Sequence, residues 1–356
     1  MGTSGTRADL ASMQADIDRA LDEKNPQRRQ EQRNLGDTLA AEHRGRLCWF
    51  IGTSSTEAQD PESLTYERYY GLREKPFSLS SDPRFFFTSS SSGVAFDALV
   101  AGIRRREGIL ALTGEVGTGK TTLCRAVLHS LNQKAFGVFV PDPFLSREDL
   151  LKTLLVTFGI ASPDDIRAGR LRGATRTDLS YPLHDFLLSL QALNALVVLM
   201  IDEAQNLTSE LLEEVRILSD LEDRQRLLQV LLIGQPELQS RLATTEMRQI
   251  NQRIAVRHEL APLLLEEVRD YVAHRLSVAG NDGRVRFVDD AVERVFAWSR
   301  GIPRVVNLLC DRALWKAADS RTTIVAAEHV DWAVADLKLP VPQFKPYDFE
   351  TASPST

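Results

Sequence analysis

A chain of 356 residues, 43% apolar and 26% charged, has the balance of a soluble globular protein and enough length for one large or two small domains. Its net charge of -6 argues against whole-protein attraction to nucleic acid. Cys48, Cys124 and Cys310 are odd in number, widely separated and without metal-ligand spacing, no apolar run reaches the length of a membrane span, and the N-terminus lacks a signal peptide's apolar core, which together favour a soluble protein of the reducing cytoplasm.

Residues 1–62 are dominated by Ser, Thr, Gly, Asp, Gln and Arg, with a short helix candidate through Leu10, Met13, Ile17 and Leu21 and an apolar patch at 47–51, and read as a mostly disordered extension. Order is expected from about Tyr66. Aromatic residues cluster around two turns, at 69–77 and 82–87, in a strap that either docks on the core or lines a nucleotide base pocket. A helix carrying Val94, Phe96, Leu99 and Ile103 follows, closed by Arg104, Arg105 and Arg106, whose cations suit its negative end or could meet a phosphate.

The apolar run 109–112 then enters Gly114-Glu115-Val116-Gly117-Thr118-Gly119-Lys120-Thr121-Thr122, and a helical pattern through Leu123, Ala126, Val127 and Leu131 leaves it. Strand, loop and helix in that order, with G-x-x-x-x-G-K-T over 114–121, predict a phosphate loop. Its glycines let successive N–H groups turn inward around a polyphosphate at the positive end of a helix. Lys120 is expected to face the β and γ phosphates of ATP, and the Thr121 hydroxyl to complete Mg²⁺ coordination. Cys124 reads as a small packed side chain.

A strand over 135–140 and a helix over 148–158 come next, then Arg167, Arg170, Arg172 and Arg176 in a Gly-containing loop, a basic patch that is either solvated or faces phosphates or an acidic partner. A helix from Pro182 to 193 leads into the run 196–201, apolar as a strand is when both faces are covered, which ends in Asp202-Glu203. Asp202 is placed to bind Mg²⁺ through its water shell, and Glu203 to orient or deprotonate the attacking water. An amphipathic helix spans 209–221. The buried strand 229–234 then ends in Gln235, at the sheet edge expected to hold Asp202, where it could bond the γ phosphate or the water. Arg248 and Arg253 are candidates for an arginine supplied across a subunit interface. From 264 to 337 the pattern is helical throughout, with Arg304 after Gly301-Ile302-Pro303 at a helix start, and residues 340–356 form a proline-containing tail.

The ordered set Tyr70-Gly71-Leu72 with Pro76-Phe77, the phosphate loop, Asp202-Glu203-Ala204-Gln205, Gly234-Gln235-Pro236-Glu237-Leu238, Gln252-Arg253-Ile254 and Gly301-Ile302-Pro303-Arg304 resembles the ExeA/GspA-like AAA+ ATPases of the general secretion pathway over about residues 66–338. The resemblance implies a three-layer parallel α/β core with a C-terminal all-helical lid, divided as extension 1–62, AAA+ nucleotide-binding domain 63–262, lid 263–338 and flexible tail 339–356. It implies Gln235 at sensor 1, Arg304 at sensor 2, an arginine finger at Arg253 or Arg248, and ATP-driven assembly of a homo-oligomeric ring or filament. The expected partner is a secretion or envelope-assembly protein, met from the cytoplasm or peripherally at the inner membrane. The membrane span and peptidoglycan-binding domain that secretion members often carry are not in this sequence, which leaves the similar ATPases of polysaccharide-export and exosortase-type clusters as equal homes. The alternative is an ATP-dependent DNA-binding regulator of the transposition type using the 167–176 loop, which the acidic net charge does not favour.

Overall fold

The computed structural model describes residues 66–131, 135–141, 145–192, 195–222 and 225–339. The expected extension 1–62, with Cys48 and its helix candidate, lies outside them, as does the tail from 340 onward. The described residues group into two compact units, Ser81–Ala261 and a second made of 66–80 with 262–339. Helix α1 (Tyr66–Tyr70) therefore belongs to the second unit.

The first unit runs α2 (Ser90–Arg104), β1 (Ile109–Gly114), α3 (Lys120–Ser130), β2 (Ala135–Val140), α4 (Arg147–Thr157), α5 (Pro163–Arg167), α6 (Arg176–Ala192), β3 (Leu196–Ile201), α7 (Ser209–Ser219), β4 (Gln229–Gly234), α8 (Pro236–Leu242), α9 (Arg248–Asn251) and β5 (Ile254–Leu260). Its five strands are all parallel, in the order β2-β3-β4-β1-β5. Every residue of β1 and β4 is buried, as the unbroken apolar runs require of central strands covered on both faces. Alternate side chains serve opposite faces. Leu110, Leu112, Val198, Met200, Leu231 and Ile233 pack with Leu99, Ile103, Leu123 and Val127 of α2 and α3. Ala111, Val197, Leu199, Ile201, Val230 and Leu232 pack with α4, α6, α7 and α8 through Leu151, Leu187, Val215 and Leu238. These are the three expected layers.

Helix starts follow local chemistry. Ser89 and Ser92 cap each other at the start of α2, Ser146 caps α4, and Thr208 caps α7. The helix expected from Pro182 begins six residues earlier, because Thr175 and Asp178 form a reciprocal cap through Thr175 N to Asp178 Oδ2 (2.9 Å) and Asp178 N to Thr175 Oγ1 (3.3 Å). Pro182 is thus tolerated inside α6 rather than starting it. Strand β5 is a second departure. Its burial alternates as an edge strand's does, so it lacks the apolar run that marked β1, β3 and β4.

The second unit contains α1, α10 (Leu265–Val278), β6 (Arg286–Phe287), α11 (Asp289–Ser299), α12 (Pro303–Asp319), β7 (Ile324–Val325) and α13 (Ala327–Leu337). It is helical as expected, except that β6 and β7 pair in parallel. Residues 66–80 are built into this unit. The Tyr66 hydroxyl donates to Asp311, the Tyr70 hydroxyl donates to Thr322 O at 3.0 Å, and Phe77 meets Phe287 edge-on. Buried Arg275 ties the strap down, donating to Pro76 O at 2.5 Å, Ser78 O at 2.8 Å and the Tyr271 hydroxyl at 2.9 Å. Of the two readings of the 69–77 segment, docking is the one these contacts describe. The second turn stays with the first unit, where Asp82 caps a short 3₁₀ turn, Phe86 stacks on Phe96 and Ser81 O accepts Arg125 Nη1.

Candidate functional site

All strands being parallel, the carboxyl ends of β1, β4 and β3 lie side by side on one rim. Gly114 leaves β1 with φ 153°, and an ideal Cβ there would stand 2.7 Å from Leu260 O on neighbouring β5, so only glycine fits. Gly117 (φ 86°) and Gly119 (φ 97°) complete the reversal, and α3 starts at Lys120 with Gly119 as its N-cap. No side chain caps this end, so its N–H groups point into the loop. Thr118 is buried, its hydroxyl donating to Glu115 O at 2.9 Å. Glu115 and Val116 form the outer bend of the loop, with Val116 exposed, and Thr122 sits in the first turn of α3.

Lys120 Nζ donates to Gly114 O at 2.7 Å and Glu115 O at 2.9 Å. Burial lowers its pKa, while the nearby Asp202, Glu203 and Glu115 carboxylates pull the other way. The Thr121 hydroxyl donates to Asp202 Oδ2 at 2.8 Å, joining the start of α3 to the end of β3 across 81 residues of sequence. These two oxygens are the hard donors Mg²⁺ takes. Among the described residues no group of three or more His, Cys, Asp or Glu stands together as a metal-ligand set.

Strand β4 lies between β3 and β1, so Gln235 leaves the sheet between the paired carboxylates and the loop. Its Nε2 donates to Glu203 Oε2 at 3.2 Å. Glu203 has φ 49°, a left-handed conformation that L-residues adopt only when neighbours hold it. Its N–H donates to Asp202 Oδ1 at 2.9 Å and its carbonyl accepts Asn206 N at 2.9 Å, while Gln205 holds the side chain, donating from Nε2 to Glu203 Oε2 at 2.6 Å. The sequence quotes Gln205 in a motif but offers no role for it; the signal is Gly234, whose absent side chain makes the room Gln205 occupies. Thr121, Asp202, Glu203 and Gln235 are thus brought together around the loop.

The arginines divide differently. Arg253 follows α9 and forms an ion pair with Asp220 of its own chain, which also accepts Arg216 at 2.9 Å. Arg248, the first residue of α9, is exposed. Arg304 is exposed in the first turn of α12, in the second unit. Arg106 is structural, with φ 57° and Nη2 donating to Ala195 O at 2.8 Å. In the basic patch, Arg167, Arg170 and Arg176 pair with Asp164, Asp165 and the buried Glu214. Cys124 is fully buried, and burial pushes its thiol pKa well up, away from reactivity.

A parallel sheet in this strand order, with a phosphate loop and paired carboxylates on one rim, is the architecture of the P-loop AAA+ fold. Residues 103–242 match the family model described as an AAA domain. The chain is similar to General secretion pathway protein A of Aeromonas hydrophila, 41% identical over 251 residues, 70% of this chain and 44% of that protein. The chain spans less than half the length of this relative. Among solved structures, the ORC2 protein of Aeropyrum pernix shares the fold at TM-score 0.58 and 16% identity, covering 74% of this chain and 72% of that one. Cdc6p from Pyrobaculum aerophilum does so at TM-score 0.57 and 16% identity, covering 73% and 70%. No helix of the described residues is long and apolar enough to cross a membrane.

Proposed function

We propose that the protein binds Mg²⁺ and ATP at this rim, hydrolyses ATP, and uses the cycle to drive assembly or remodelling of a secretion or envelope-export system as a homo-oligomer. The observation that carries the reading is the 2.8 Å contact between Thr121 and Asp202, which joins the phosphate loop to the acidic end of β3.

The loop's N–H groups and the positive end of α3 bind the polyphosphate, and Lys120 exchanges its two carbonyl partners for phosphate oxygens. Bound Mg²⁺ would supply neutralising charge on the β and γ phosphates. Thr121 and Asp202 are the residues that would hold it. Glu203 accepts a hydrogen bond from the attacking water and draws off its proton, and Gln235 positions the γ phosphate beside it. Little covalent chemistry falls to the protein; the rate comes from positioning and charge stabilisation.

The arginine finger assignment to Arg253 or Arg248, and that of Arg304 to sensor 2, rest on the resemblance. The secretion partner is carried over from the Aeromonas relative's name. The DNA-binding alternative is not taken up, since three of its four arginines are already paired with carboxylates. Phosphate release from ATP with Mg²⁺, compared between the parent and Asp202→Asn, tests the reading. We expect turnover to fall at least about tenfold, and equal rates would overturn it. Salt-dependent DNA binding with a non-hydrolysable ATP analogue would restore the alternative.

A further inference from the structure

Two amides converge on one oxygen of Glu203. Gln205 Nε2 donates to Oε2 at 2.6 Å and Gln235 Nε2 donates to the same atom at 3.2 Å. The Gln205 amide has no freedom to flip, because its Oε1 accepts the backbone N–H of Gln235 at 3.0 Å and only the Nε2 end is left to face the carboxylate. Its backbone is anchored as well, with Gln205 O accepting from Arg241 Nη1 at 2.9 Å. The side chain reaches this position over Gly234, where an ideal Cβ would lie 2.8 Å from Gln205 Oε1. Residues from the ends of β3 and β4 therefore fix the carboxylate jointly.

We propose that Gln205 is a positioning residue for hydrolysis, holding Glu203 Oε2 so that Oε1 is the oxygen left to accept from the attacking water. The inference rests on the assignment of Glu203 made above. A donor 2.6 Å from an ionised acceptor is a strong, directional tether, and it restricts rotation of the carboxylate in a way that a solvated glutamate at a strand end would not experience. Gln205 does not touch the nucleotide in this scheme; it acts only through Glu203.

The test separates two duties of the side chain. Gln205→Glu keeps an oxygen for the Gln235 N–H and removes the donor to Glu203; Gln205→Ala removes both. Both variants are expected to lose about ten- to a hundredfold in kcat, with the KM for ATP and the affinity for a non-hydrolysable analogue within about twofold of the parent. Added to Glu203→Gln, the Gln205→Ala change should cost no more than about a further twofold, because both act through one group. Gln205→Glu turning over at the parent rate would overturn the proposal. So would losses that multiply in the double variant, or analogue binding that falls in step with kcat in Gln205→Glu, the variant closest in shape. Full turnover by Glu203→Gln alone would overturn the Glu203 assignment first and this inference with it, so the two failures are distinguishable.

Discussion

Thr121, in the first turn of α3, donates its hydroxyl to Asp202 at the end of β3 at 2.8 Å. One residue comes from the phosphate loop and the other from a strand two places away in the sheet. If the pair holds Mg²⁺, Asp202→Asn should raise the Mg²⁺ concentration for half-maximal ATP turnover by about ten- to a hundredfold. A titration of Mg²⁺ at fixed ATP reads this directly, and an unchanged midpoint would remove Asp202 from the site.

Lys120 hydrogen-bonds the carbonyls of the loop it serves. Lys120→Ala removes the charge facing the phosphates and should weaken ATP binding at least about a hundredfold. Fluorescent-nucleotide titration is the measurement; parent-like affinity would refute the assignment.

Glu203→Gln retains the size of the side chain and loses the base. ATP should bind within a few-fold of the parent while turnover falls about a hundred- to ten-thousandfold. A variant hydrolysing at the parent rate would show that another group handles the water.

Arg253 is engaged by Asp220 in its own chain, so action on a neighbouring subunit would require it to leave that pair. Mixing Arg253→Ala with Glu203→Gln subunits should partly restore turnover, because some interfaces then combine an intact Glu203 with an intact Arg253. Proven co-assembly without recovery would count against Arg253.

Buried Arg275 hydrogen-bonds the Tyr271 hydroxyl and two backbone carbonyls of the strap. Arg275→Ala should destabilise the protein by about 3 kcal/mol, since it strands those acceptors away from water. Arg269→Ala, which breaks the exposed pair with Asp289, should cost under about 1 kcal/mol. Thermal melts of the two variants compare them, and equal shifts would show that the strap does not depend on Arg275.

The nucleotide rim was legible in the sequence because its chemistry is local. Gly114, Gly119, Lys120 and Thr121 lie within eight consecutive residues, and the apolar runs of β1, β3 and β4 announce strands buried on both faces. Strand β5 escaped because an edge strand alternates and carries Arg257, His258 and Glu259. The true start of α6 escaped because Pro182 is a strong helix-start signal and the Thr175 and Asp178 cap is a weaker one.

By itself the sequence determined the phosphate loop, the carboxylates that follow a buried strand, the succession of strands and helices around them, and an amphipathic helical region after them. Periodicity and turn chemistry act over a few residues, so one chain suffices to read them. Only the tertiary structure decided that residues 66–80 build into the helical unit, that Arg253 meets Asp220, and that Gln205 reaches over Gly234 to hold Glu203. Each of the last two joins residues separated along the chain but adjacent on a packed surface, and strand order and side-chain volume, rather than local pattern, bring them into contact.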